Sequence, residues 1–100
     1  MSNSARVSVV IVNYKGVEDT LEAIAGLMEL GEYPEQLEII VVDNASEDGS
    51  FERLESYQPR VLVVPSKKNL GFAGGCNLGA SHASGEILAF LNSDARPEKN

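Results

Sequence analysis

The sequence predicts an α/β domain in which a parallel sheet carries helices on both faces. Two observations lead there. Four short apolar runs, Val7–Val12, Leu37–Val42, Val61–Val64 and Ile87–Leu91, recur along the 100 residues. They are nearly continuous rather than alternating, which is the pattern of strands covered on both faces. The stretches between them read as helices, so the order is βαβαβαβ, and right-handed crossovers then make the strands parallel.

Taken in order, each connecting segment has its own signals. After the first run, Val17, Leu21, Ile24, Ala25 and Met28 fall on one helical face. Glu18 and Asp19 suit the positive amino end of that helix, and Gly31 and Pro34 mark its stop. A shorter helix around Gly49–Tyr57 would turn Phe51, Leu54 and Tyr57 inward. The third, about Phe72–Ser84, has an inner face of small residues (Ala73, Cys76, Ala80, Ala83), which suits a close approach to the sheet, with Gly85 as its carboxyl-terminal cap. The chain leaves the fourth run in Arg96-Pro97-Glu98-Lys99-Asn100, so a four-stranded sheet is expected to have an unfinished edge and to be part of a larger domain.

Composition narrows the function. The hydrophobic fraction is 43%, enough for a core. Net charge is −7, from 15 acidic and 8 basic residues, and that field repels a phosphate backbone, so nucleic acid is not an expected partner. Cys76 is the one cysteine, which rules out an internal disulfide and a Cys/His zinc cluster. No apolar run approaches the roughly 18 residues of a membrane span, and residues 1–6 lack the apolar stretch of a signal peptide. A cytoplasmic location is expected, with attachment to the cytoplasmic membrane face left open.

In a parallel α/β sheet, ligands bind outside the carboxyl ends of the strands. The residues following each run are therefore the candidates. Asn13, Tyr14 and Lys15 follow the first. Asp43 and Asn44 open the polar stretch after the second, where a carboxylate can accept from the imide N–H of uracil or thymine or from guanine. Asp43, Ser46 and Asp48 equally suit Asx turns and helix caps. Three glycines in Asn69–Asn77 lead into a helix whose first N–H groups can face an anion, or which simply packs close to the sheet. Asp94, in Asn92-Ser93-Asp94, has the chemistry to hold Mg²⁺ or Mn²⁺ against a diphosphate, and also fits a turn. Lys67 and Lys68 read as a solvated loop pair, His82 as a surface residue near a helix end and Cys76 as a core residue.

Four segments taken together resemble the inverting family 2 glycosyltransferases of the GT-A fold: Val7–Gly16, Ile39–Ser50, Asn69–Gly79 and Ile87–Pro97. They occur in that family's order and span nearly the whole chain, and their wording is most similar to a rhamnosyltransferase-like branch. The resemblance implies a Rossmann-like sheet forming the nucleotide-sugar-binding, amino-terminal part of a glycosyltransferase domain across residues 1–100. It implies that Val12, Asn13 and Tyr14 line the base pocket, that Asp43 and Asn44 sit at the nucleobase, and that Asn69, Gly71 and Asn77 belong to the donor segment. Asn92, Ser93 and Asp94 fall where the family places its DxD metal motif, with Asp94 as the metal ligand and Asn92 as a departure from the pattern. The implied partners are a UDP- or dTDP-type sugar and a glycan or lipid-linked acceptor, and the implied cofactor is Mg²⁺ or Mn²⁺. The family's general base lies in a later segment, so no catalytic residue is expected within the chain, which is expected to be inactive alone. A non-catalytic nucleotide- or partner-binding module, with a second copy on the open sheet edge, is the alternative.

Overall fold

A computed structural model describes residues 6–29 and 36–92. The element order is β1 (Val7–Asn13), α1 (Val17–Met28), β2 (Leu37–Asp43), α2 (Ser50–Glu55), β3 (Leu62–Pro65), α3 (Gly71–Ala80) and β4 (Ile87–Asn92). All four strands are parallel, in the order β3-β2-β1-β4. The expected α/β architecture is therefore present. The helix stop signals Gly31 and Pro34 and the segment 93–100 lie outside the described residues.

Strand alternation divides the core into two layers. Val9, Ile11, Ile39, Val41 and Val63 face α1 and α2, where Ile24 and Leu54 pack against them. Val10, Ile40, Val42 and Val64 face the other side, which α3 covers with Leu78. Each such Val or Ile, once fully buried, contributes roughly 1.5–3 kcal/mol. Along α1 the inward residues are Val17, Leu21, Ala23, Ile24, Leu27 and Met28, while Ala25 is exposed.

The close approach expected of α3 is made by two glycines. A Cβ on Gly79 would stand 2.4 Å from Val10 Cγ1, and one on Gly75 would stand 2.9 Å from Val12 Cγ1. Ala73, expected inward, is exposed. The helix ends at Ala80 rather than Ser84, because Ser81 Oγ donates to the Leu78 carbonyl and the N–H groups of His82 and Ala83 turn back to Gly79 and Ala80. Gly85 is thus no helix cap. Its N–H donates to Ser8 Oγ at 2.8 Å, and a Cβ there would meet Ser8 Oγ at 2.5 Å.

Two further corrections concern the strands. The first, second and fourth each extend one polar residue beyond the apolar run, so Asn13, Asp43 and Asn92 belong to the sheet, with Asn13 opposite Asp43 and Val12 opposite Asn92. And β4 is not covered on both faces: Ile87, Leu88, Phe90 and Leu91 are exposed. The cause is topological. Among the described residues β4 is an edge strand, and the helices pack mainly over β1, β2 and β3.

At the amino ends of the strands, Glu38 fastens the α3–β4 turn. Its Oε1 accepts from Ser8 Oγ (2.6 Å), the Ser84 N–H (2.9 Å) and Ser84 Oγ (3.2 Å). Burial pushes this carboxyl up, but those hydrogen bonds and the nearby Arg6 charge outweigh it and hold Glu38 below the usual carboxylate range.

Candidate functional site

From β1 the chain steps outward to β2 and β3, then crosses back to place β4 on the other side of β1. The strand order reverses between β1 and β4, and the crevice outside the carboxyl ends at such a point is where open α/β sheets take ligands. A cleft of about 210 Å³ lies there, lined by Val12, Tyr14, Asn44, Asn69, Gly71, Phe72 and Asn92. Six of those were candidates from sequence. Phe72 was not, since an aromatic residue at a helix start carries no local sign of facing a ligand.

The cleft is neutral, because none of its lining side chains is charged at neutral pH. It offers three carboxamides and two aromatic rings. Tyr14 is 45% exposed, and Lys15 Nζ lies 5.4 Å from its ring centroid, a cation–π contact that also puts a positive charge beside the cleft. Asn44 is buried and both ends of its amide are engaged: Oδ1 accepts from the Leu70 N–H at 2.9 Å and Nδ2 donates to the Gly71 carbonyl at 3.0 Å. Gly71, at φ +76°, donates its own N–H to Asn69 Oδ1 at 2.8 Å. Two N–H groups at the start of α3 are thereby held by side chains, and Asn44 ties the 69–71 turn to the tip of β2.

Asp43 and Asn13 occupy the layer beneath. Asn13 is completely buried; its Nδ2 donates to Asp43 Oδ1 (3.0 Å) and Ser46 Oγ (3.3 Å), and its Oδ1 accepts from Thr20 Oγ1 (2.7 Å). Asp43 is 5% exposed, and Oδ1 also accepts from Ser46 Oγ at 2.7 Å. Ser46 Oγ in turn accepts from the Lys15 N–H at 2.8 Å. Asp43 does not line the switch-point cleft. It borders a neighbouring depression of about 350 Å³, with Glu47, Phe51, Pro65 and Lys67 among its walls. Asp43, the expected base reader, thus borders the depression beside the cleft rather than the cleft itself. Thr20, missed in the sequence because it sits on a helix face otherwise read as apolar, completes this buried network.

The remaining candidates separate from the cleft. Asn77 is exposed on α3 and lines neither depression. Ser93 and Asp94 lie outside the described residues. Among the described residues there is no group of three His, Cys, Asp or Glu side chains that could hold a metal, and the β4 tip presents Asn92, a neutral amide. Asp48 accepts from the Ser50 N–H (3.0 Å) and hydroxyl (2.5 Å) at the start of α2, and the hydroxyl bond holds its carboxyl below the usual range. Burial pushes the Cys76 thiol up, which leaves it protonated and unreactive. His82 and the pair Lys67 and Lys68 are exposed.

A larger cavity, about 530 Å³, lies at the opposite, amino ends of the strands between Arg6, Leu37, Glu38, Ile39, Pro59, Arg60 and Leu62. It is bigger, but its position at the wrong end of a parallel sheet argues against it as the ligand site.

The whole chain has clear relatives. It is 36% identical over 97 residues to the uncharacterized glycosyltransferase YfnE of Bacillus subtilis, covering 95% of this chain and 24% of that protein. It is 32% identical over 100 residues to TuaG of Bacillus subtilis, a putative teichuronic acid biosynthesis glycosyltransferase, covering 94% and 38%. The mannosyltransferase PcManGT of Pyrobaculum calidifontis, solved with GDP-Man and Mn²⁺, superposes with a TM-score of 0.78 at 28% identity, over 94% of this chain and 29% of that one. S. aureus TarS 1-349, solved with UDP-GlcNAc, also gives 0.78, at 26% identity over 89% and 26%. The chain thus spans between about a quarter and two fifths of the length of the relatives named here. These solved neighbours share the GT-A arrangement of a parallel sheet flanked by helices. The family model described as glycosyl transferase family 2 matches residues 8–100, and the chain belongs to that family.

Proposed function

We propose that this chain supplies the donor-nucleotide site of a glycosyltransferase, with the nucleotide lying in the cleft between the tips of β1 and β4. The observation that carries this is the convergence of Val12, Tyr14, Asn44, Asn69, Gly71 and Asn92 on one cleft at the reversal of strand order. Tyr14 gives a base a stacking face, for which about 1–3 kcal/mol is typical. Carboxamides, which both donate and accept, suit the alternating carbonyl and imide edge of uracil or thymine. That match and the sequence resemblance support a UDP- or dTDP-type donor. Asp43, at the tip of β2, borders the neighbouring depression and is the carboxylate that the resemblance sets at the base.

The activity of the complete enzyme is part of the proposal. The acceptor is a glycan or a lipid-linked glycan, transfer proceeds with inversion, and the general base comes from a segment other than residues 1–100. A divalent cation, Mg²⁺ or Mn²⁺, would be held by Asp94, and it would neutralise the departing diphosphate. The Mn²⁺ in PcManGT supports that assignment. Among the described residues, the β4 tip ends in the neutral amide of Asn92 and supplies no carboxylate for the ion. No described helix is long and apolar enough to cross a membrane. The exposed apolar face of β4 favours a covering element, which a second copy could also supply.

Calorimetry of the protein with UDP, dTDP and GDP, with and without Mn²⁺, tests this reading. Tyr14→Ala, at an exposed position, is expected to weaken UDP or dTDP binding about tenfold while leaving the melting temperature unchanged. Equal affinity in the variant would remove Tyr14 from the site.

A further inference from the structure

Asp43 has two carboxylate oxygens, and the fold treats them differently. Oδ1 is taken up by the protein: it accepts from Asn13 Nδ2 at 3.0 Å and from the Ser46 hydroxyl at 2.7 Å. Oδ2 carries no hydrogen bond to any described residue, yet among the described residues no buried side-chain oxygen lacks a partner. Oδ2 therefore keeps an accessible face, on a residue that is 5% exposed and borders the depression beside the cleft. The two depressions lie side by side at the tip of β2, where Asn44 lines one and Asp43 the other.

The donors on Oδ1 are themselves held from behind. Asn13 is completely buried, opposite Asp43 in the last ladder pair of β1 and β2. Its amide carbonyl accepts from the Thr20 hydroxyl, 2.7 Å away on α1, which leaves its N–H groups to face Asp43 and Ser46. Thr20 is also completely buried, and it lines neither depression. Without that hydroxyl the Asn13 Oδ1 atom is a buried acceptor with no donor, a state that costs free energy and drives rearrangement. The Ser46 hydroxyl, 3.3 Å from the Asn13 amide, is the donor at hand, and a Ser46 turned to Asn13 no longer holds Asp43.

We propose that Thr20, Asn13 and Ser46 are positioning residues that clamp Asp43 by Oδ1 and so present Oδ2 to the imide N–H of the donor's base. The inference rests on the donor-site reading above, with Asp43 at the base, and deepens it by naming what aims the carboxylate. The clamp also gives the site a preference. An oxygen that only accepts pairs with the N–H of uracil or thymine and not with cytosine, whose ring nitrogen at that place is itself an acceptor. A clamped carboxylate cannot turn away from cytosine, whereas a loose one can.

Calorimetry with UDP and CDP on Thr20 variants tests this. Thr20→Val keeps the shape and removes the donor, and Thr20→Ser keeps the donor. Thr20→Val is expected to weaken UDP binding about tenfold, the usual worth of a hydrogen bond to a charged group, without weakening CDP. The preference for UDP over CDP then falls by the same factor, and Thr20→Ser is expected to retain it. Thr20→Ala removes the same donor and is expected to lose the preference as Thr20→Val does. A general loosening of the fold would weaken both nucleotides alike. An unchanged preference in Thr20→Val and Thr20→Ala, or an equal loss in Thr20→Ser, would overturn the proposal.

A second arm needs no ligand. In the unaltered protein the Asn13 side-chain amide protons are expected to be protected from hydrogen exchange. Thr20→Val is expected to remove that protection and shift the Asp43 carboxyl carbon resonance, and Thr20→Ser to do neither. Unchanged amide exchange and an unchanged carboxyl resonance in Thr20→Val would defeat the inference on their own. Absence of UDP binding by the unaltered protein would instead defeat the donor-site reading, with the carboxyl resonance still deciding whether Thr20 acts on Asp43.

Discussion

Replacing Gly79 with valine is expected to lower stability by about 3 kcal/mol or more, at the upper end of what overpacking a close-packed core costs. The position has no room. A single Cβ would already stand 2.4 Å from Val10 Cγ1, 3.1 Å from Val42 Cγ2 and 3.3 Å from Val10 Cγ2. Val10 and Val42 are themselves fully buried in the centre of the sheet, so neither can retreat without opening the opposite layer. Two further methyl groups force α3 outward. Gly79→Ala is a graded comparison: the helix gains about 1 kcal/mol of intrinsic propensity over glycine, against an overpacking cost of about 1–3 kcal/mol. Urea titration followed by circular dichroism reads both variants, and a midpoint for Gly79→Val equal to that of the unaltered protein would contradict the helix–sheet distance.

Asp43→Ala is the second large effect. Removing the carboxylate takes away the acceptor shared by Asn13 Nδ2 and Ser46 Oγ, both in completely buried residues. Leaving buried donors without their acceptor costs about 1–3 kcal/mol each, and Asn13 keeps only its longer contact to Ser46 at 3.3 Å. A loss of about 2–4 kcal/mol is expected in the same urea titration. Asp43→Asn keeps an oxygen at the Oδ1 position and is expected to lose less than half as much. If alanine and asparagine behaved alike, the network would not carry the stability assigned to it.

These two positions also mark what was legible in the sequence. The sheet was visible because Ile39-Ile40-Val41-Val42 and Val9–Val12 are β-branched runs without alternation, and a strand buried on both faces has few other ways to look. The proposed site was suggested by the sequence in the same way, because polar residues collect where the runs stop. What could not be read was depth. Asp43 and Asn44 are adjacent in the chain, yet one faces its neighbour in the ladder and the other reaches the 69–71 turn. A one-residue step in a strand reverses the direction of the side chain, and the sequence does not show where strand geometry ends. That is how the adjacent Asp43 and Asn44 come to border two different depressions at the strand tips.

The third helix illustrates the same limit. Its small residues announced close packing, but the contacts fall on Gly75 and Gly79 rather than on Ala73. Several phases of a small-residue stripe satisfy the pattern equally, and only the sheet beneath selects one. The fourth strand was read as covered because Ile87–Leu91 has the composition of a central strand. The order β3-β2-β1-β4 makes it an edge among the described residues, and edge placement is a property of topology that no local window contains.

Backbone amide resonances followed during a UDP or dTDP titration locate the ligand directly. Perturbations confined to 12–15, 44, 69–72 and 92 are predicted by a nucleotide seated where the sheet reverses. Perturbations centred instead on Arg6, Leu37, Arg60 and Leu62, around the larger cavity at the other end of the strands, would contradict it.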